Sequence, residues 1–260
     1  MNELRDFILV TKTILRRNFL VNYSNKWTTL ANNLGNPILF LFAFGYGLGA
    51  IIDEMGDVPY IAFVVPGMIA YATMFTSSFE ATIGAFSRFQ FLRTWDAALA
   101  TPVRLHQLLM AEIVWGALKG VFAGFCVLLV GTAVGGIVIF SKLWLLLPIC
   151  LLASACFMAC GLVATAYARW YDSFSYFFTF WVSPMFMFCG VFFSVDRFPE
   201  WLQWVSFLLP MTPFIGMIRP LTTGLPIDWV QMALQGLYLV GLTMFAFWVA
   251  HRKIKKRMFD

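Results

Sequence analysis

The chain is 260 residues long, 61% hydrophobic and 12% charged, with a net charge of +5. Soluble domains are nearer half apolar and a quarter charged, so this composition excludes an ordinary water-soluble globule and points to a bilayer as solvent. The apolar runs are continuous and of roughly 20 residues or more, which suits spanning helices and excludes the alternating ten-residue segments of a membrane β-barrel.

The first element covers 3–24. Leu4, Phe7, Ile8, Thr11, Ile14 and Leu15 follow the spacing of one helical face, with Arg5, Lys12 and Arg16 nearly opposite. A basic amphipathic helix ahead of the first span is expected to lie flat in the cytoplasmic interface; the plainer alternative is a solvated leader. The N-terminus lacks the apolar core and small-residue cleavage site of a signal peptide, so no cleavage is expected. Six spans follow, at about 31–52, 60–86, 107–138, 144–168, 174–193 and 229–250. The first holds Asn32, Asn33, Asn36 and Pro37 near its inner end, then Gly45 and Gly49 at a spacing that permits close helix approach. The acidic loop DEMGDVP at 53–59 leads to the second. Glu80 falls near the inner end of the second span and Glu112 near the inner end of the third, and Lys119, two turns beyond Glu112, is the most deeply placed charge. Three roles stay open for Lys119: pairing with Glu80 or Glu112 to fix helix packing, lining a cavity for an anionic headgroup, or snorkelling.

Between the second and third spans the stretch 87–106 is polar and helix-prone, with its helix ending before Pro102. It reads as a short helix over RTWDAALATP, with Trp95, Ala98 and Leu99 on a small apolar face beside Arg93 and Asp96, a knob on the inner surface; the alternative is a plain connecting loop. Residues 194–228 are too proline-rich to span as one helix and too apolar for a solvated loop. Two short helices are expected, about 199–208 and 213–220, with Trp201 and Trp204 at headgroup level.

Most lysines and arginines fall in 1–30, 87–106, 169–173 and 251–260, whereas Lys142, Arg197 and Arg219 stand on the other face. The positive-inside rule therefore places both termini in the cytoplasm and accounts for the net charge without a nucleic-acid partner. Five cysteines, Cys126, Cys150, Cys156, Cys160 and Cys189, lie inside apolar spans and read as packing residues. The chain contains no GxxxxGK[ST], HExxH or GxSxG, and only His106 and His251 as histidines, so no catalytic or metal-ligating residue is assigned.

The layout and three stretches resemble the membrane-spanning subunits of type-2 ATP-binding-cassette exporters. The stretches are FVVPGMIAYATMFTSSFEA at 63–81, RTWDAALATPVRLHQLLMAEIVWGALKG at 93–120 and LPMTPFIGMIRPLTTG at 209–224. Within that family the chain is similar to the membrane subunit of rhizobial nodulation-factor exporters, which move lipo-oligosaccharides. The resemblance implies an all-α polytopic protein of the bacterial inner membrane, one domain over 1–260, working as a pair of copies with two copies of a separate ATPase that binds ATP and Mg. This chain would hold no cofactor and would not be an enzyme. Arg93, Thr94, Trp95, Asp96 and Leu99 would form a coupling helix seated in the ATPase. Lys119, Glu80, Glu112, Trp181, Phe186 and Phe188 would be candidates for the substrate pathway. Trp201, Trp204, Pro213 and Arg219 would belong to outer re-entrant helices between spans five and six. The expected function is ATP-driven export of a lipid-linked or amphipathic glycan by alternating access. The alternative is efflux of drugs, lipids or small hydrophobic molecules. A channel or carrier acting alone, or a membrane enzyme, would lack the features that the resemblance supplies.

Overall fold

The computed structural model describes residues 3–24, 35, 38–45, 47–55, 58–139 and 142–259. Helix α1 is Glu3–Ser24. Its inner stripe is Ile14 and Asn18, both buried, with Val10 packed alongside. Ile8, expected on that stripe, is exposed instead, as are Leu9, Phe19 and Leu20. The helix therefore carries a second apolar face that this chain leaves open. A short helix, α2, covers 38–45, and the chain turns over 48–51. Of the span expected at 31–52, Asn32, Asn33, Asn36 and Pro37 lie outside the described residues. Gly49 does not serve helix approach; it sits in the turn, where an added Cβ would run into the Gly45 carbonyl.

The acidic loop contains a small hairpin, β1 (Glu54–Met55) paired antiparallel with β2 (Val58–Pro59). Two such strands are marginal alone. Here Met55 and Val58 turn into the core. The hairpin hands the chain directly to α3, Tyr60–Phe91, a helix of 32 residues. It is the central element, its apolar window 89% buried. It interrupts its regular winding twice, with wide π turns at Glu80–Gly84 and Ser87–Phe91. Arg93 then adopts φ +51°, the one left-handed non-glycine residue described, and the chain breaks sharply into α4, Thr94–Leu99.

Helix α5 is Leu105–Ala133 and α6 is Leu146–Tyr167, the latter entered through a 3-10 turn at Leu143–Leu145. Small residues let α5 lie close on α3 and α6. A Cβ on Gly120 would overlap the hydroxyls of Ser77 and Ser154, and one on Gly131 would overlap Val65. Those two hydroxyls hydrogen-bond to each other and to carbonyls of α3 and α5, so the seam is polar but satisfied.

Helix α7 runs through Ser173–Phe177, a π turn at Phe178–Val182 and Ser183–Phe188. It ends there because Gly190, at φ +85°, turns the chain back. At about 1.5 Å per residue it reaches about 24 Å, short of the roughly 30 Å of a hydrocarbon core, so the span expected at 174–193 is shorter than the sequence suggested. Helices α8 (Glu200–Leu208) and α9 (Met211–Thr223) meet at 87°. The last helix, α10, is Trp229–Phe259, started by the Asp228 carboxylate, which accepts the N–H groups of Val230 and Gln231. It runs nine residues past the expected end of its span. Among the described residues four helices are long and apolar enough to cross a membrane, or five if the bent α8–α9 pair is counted as one. The chain is thus a mostly helical polytopic membrane protein; six complete spans are not among its described features.

A buried ionic chain as candidate functional site

Three cations and two carboxylates alternate in one line where α1, α3, α4 and α5 meet. Helix α3 supplies Glu80 and Arg88, α5 supplies Glu112 and Lys119, and α1 supplies Arg17. Lys119 Nζ lies 2.7 Å from Glu80 Oε2. Arg88 Nη1 lies 2.8 Å from Glu80 Oε1. Arg88 also forks onto Glu112, with Nε 3.1 Å from Oε1 and Nη2 2.6 Å from Oε2. Arg17 Nη2 closes the line 3.7 Å from Glu112 Oε1. Two indoles complete it: Trp115 Nε1 donates to Glu80 at 3.0 Å and Trp95 Nε1 to Glu112 at 3.1 Å. The Glu112 side chain is 0% exposed. Burying a single carboxylate costs several kcal/mol, which only well-formed partners offset. Here all four carboxylate oxygens have partners.

The local sequence makes this geometry possible in two ways. Glu80 and Arg88 are eight residues apart, which at about 100° per residue leaves them about 80° out of phase on a regular helix. A π turn absorbs one residue, leaving about seven ordinary steps, or two full turns, so both side chains face α5. Gly84 provides the second condition: a Cβ there would stand 2.7 Å from Glu80 Oε1, in the space the carboxylate uses.

Helix α4 is held to this chain by Trp95. The ring is wholly buried, 5.2 Å from the Phe89 ring, in a cluster with Leu109 and Ile254. Of the small apolar face expected at Trp95, Ala98 and Leu99, Trp95 points inward, where its N–H donates to Glu112. The surface of α4 is Asp96 and Ala97, with Arg93 3.3 Å from Asp96 and exposed Phe91 and Leu92 beside it. Leu99 and Thr94 are half-buried, and the Thr94 hydroxyl donates to the Arg88 carbonyl at 3.2 Å. The far end of α10 joins the same cluster. Arg257 lies 5.0 Å from the Phe89 ring and donates to the Ala168 carbonyl.

Of the other candidates, Lys119 is bound to Glu80 and not to Glu112. Trp181, Phe186 and Phe188 do not share one wall. Trp181 lines an apolar groove of about 350 Å³ with Phe177 and α10 residues Leu242 and Phe245. Phe186 joins an aromatic cluster, 4.2 Å from the Tyr71 ring and 5.2 Å from Phe40. Phe188 meets Phe198 at 6.1 Å. The aromatic cavity of about 290 Å³ is lined by Phe186 together with Tyr71, Phe75, Phe79 and Phe178; these last four were not singled out from sequence, although Tyr71, Phe75 and Phe79 recur every four residues. Arg17, Arg88, Trp115 and Gly84 were also missed. At the other end of the bundle Trp201 and Trp204 are 68% and 77% exposed and Pro213 is buried. Arg219 donates from Nη2 to the Gly190 carbonyl. Among the described residues no group of side chains is arranged to hold a metal ion.

Comparison with known proteins places these observations. Residues 10–223 match the model of the ABC-2 type transporter family. Nodulation protein J of Rhizobium leguminosarum bv. trifolii is 34% identical over 82% of this chain and 81% of its own length. Nodulation protein J of Rhizobium meliloti (strain 1021) is 31% identical over 94% and 92%. The inner membrane transport permease YadH of Escherichia coli (strain K12) is 27% identical over 70% of each.

Proposed function

Because the chain belongs to the ABC-2 type transporter family, we propose that it is the permease of an exporter that carries a lipid-linked or amphipathic glycan outward across the bacterial cytoplasmic membrane. Two copies pair, and two copies of a separate ATPase bind ATP and Mg. The similarity to proteins named nodulation protein J supports a lipo-oligosaccharide-like cargo.

The observation that carries the reading is the ionic chain. A push on the Arg93–Asp96 surface of α4 reaches Trp95, then Glu112, then Arg88 and Glu80 on α3. Charge-assisted hydrogen bonds are short and directional, so the knob and the central helix move together. Cargo assists only by binding the inward- and outward-facing arrangements unequally. The test is reconstitution with and without the ATPase subunit. Export of a fluorescent lipo-oligosaccharide is expected only with both subunits and ATP; comparable flux from vesicles holding this chain alone would sink the proposal.

A second cargo class, small hydrophobic molecules or lipids, is favoured by an apolar groove of about 920 Å³ lined by residues such as Leu118, Phe122, Phe125 and Trp144 between α5 and α6. Competition between lipo-oligosaccharide and a hydrophobic dye for ATP-dependent export separates the two classes.

A further inference from the structure

Arg219 differs from the cations of the ionic chain. It leaves α9 toward the turn after α7, where Nη2 donates to the Gly190 carbonyl and the guanidinium carbon lies 3.7 Å above the Phe63 ring. Its Nε is enclosed without an acceptor. No ion pair joins it among the described residues, whereas Arg17, Arg88 and Lys119 each have a carboxylate. One carbonyl and one ring face leave a cation without a counter-ion, in a place where an unpaired charge is costly. An ionisable group held this way in a membrane protein is by default a functional one. Phe63 lies in the first turn of α3, directly after the β1–β2 hairpin, so the guanidinium packs beside the start of that helix. Arg219 as a whole is only partly buried.

We propose that Arg219 is the cationic half of an anion site at the end of the bundle opposite the ionic chain, taking one phosphate, sulfate or carboxylate group. A planar guanidinium matches two oxygens of such a group at once. The Gly190 carbonyl and the Phe63 ring hold the side chain in place before the anion arrives, so less freedom is lost on binding. The anion comes either from a lipid headgroup in the outer leaflet or from a charged group on the transported amphiphile. The site itself does not depend on the export reading; only its second source does.

The test is thermal unfolding of the purified full-length chain in a neutral maltoside detergent, with methyl phosphate as the probe at constant ionic strength. The wild type is expected to show a saturable rise in unfolding temperature on the order of 2–4 °C. Arg197→Gln, an exposed arginine at the same end, keeps the rise; Arg219→Gln loses it. General salting effects act equally on all three and cancel. Arg219→Lys keeps a weaker response, since it retains the charge without the fork, and it serves if the glutamine variant does not fold. An unsaturable or absent response in the wild type overturns the site whatever the variants do, and so does an equal response in Arg219→Gln. Repeating the titration in phosphatidylcholine nanodiscs, with and without phosphatidylglycerol, identifies the source. A phosphatidylglycerol-induced rise that abolishes the phosphate response assigns the site to lipid. A phosphate response unchanged by phosphatidylglycerol reserves it for a group delivered with cargo.

Discussion

The two ends of the helical bundle treat charge in opposite ways. Beneath α4, Lys119, Glu80, Arg88, Glu112 and Arg17 alternate in sign, with the one net positive charge at the part-exposed Arg17 end, and two indole N–H groups donate to the carboxylates. At the far end Arg219 rests on a carbonyl and a ring face alone. The contrast separates two uses of buried charge. A closed chain joins helices and transmits displacement among them, because no member moves without disturbing its neighbours. An open cation leaves a position for a group from outside the chain.

The contrast can be broken most severely at Glu112, which alone touches α1, α3 and α4. Glu112→Ala leaves Arg88 Nε and Nη2 and the Trp95 N–H without their acceptor and is expected to cost about 3–5 kcal/mol, seen as a large fall in unfolding temperature in detergent. Trp95→Phe keeps the ring against Phe89 but removes the N–H donor. It is expected to cost about 1.5–3 kcal/mol and to lower the stimulation of ATPase activity by cargo while the subunits still co-purify. Gly84→Ala introduces a methyl where the Glu80 carboxylate lies, with an expected cost of about 1–3 kcal/mol on the same unfolding assay. A double-mutant cycle between Lys119→Met and Glu80→Gln is expected to show a coupling of about 0.5–3 kcal/mol. Additivity there, together with lost export at normal stability, would instead assign Lys119 to cargo. The smallest structural effect belongs to Asp96→Ala. Its unfolding temperature is expected to match wild type while ATP-dependent export falls, a separation that places Asp96 on the partner-facing side of α4.

Helix positions were legible because a bilayer imposes length and continuity on apolar runs. Helices α3, α5, α6 and α10 begin within about three residues of their expected starts. The α8–α9 pair was also legible, since Pro199, Pro210 and Pro213 bracket and interrupt it. The end of α7 was less so: the hydrophobic pattern continues through Val191, Phe192 and Phe193, and only the left-handed turn at Gly190 stops the helix. Glu80, Glu112 and Lys119 could be singled out by depth alone. Arg88 could not be joined to them, because a regular helix carries it away from α5 and nothing in the residue types announces a π turn. The inward rotation of Trp95 had the same origin. A tryptophan on a six-residue helix reads as a contact for a partner until its N–H is seen to have an acceptor within the chain.

The wide turns of α3 bear on how much sequence change this region tolerates. Between Glu80 and Arg88 the requirement falls on the number of residues and the winding of the helix taken together. Removing any one residue from 85–87 would let the helix relax to plain winding with Glu80 and Arg88 seven residues apart, about two full turns, so the pair would stay in phase. A survey of relatives should therefore find a one-residue gap wherever the π turn is missing, and a single-residue deletion here should preserve the Glu80–Arg88 pair better than a single-residue insertion.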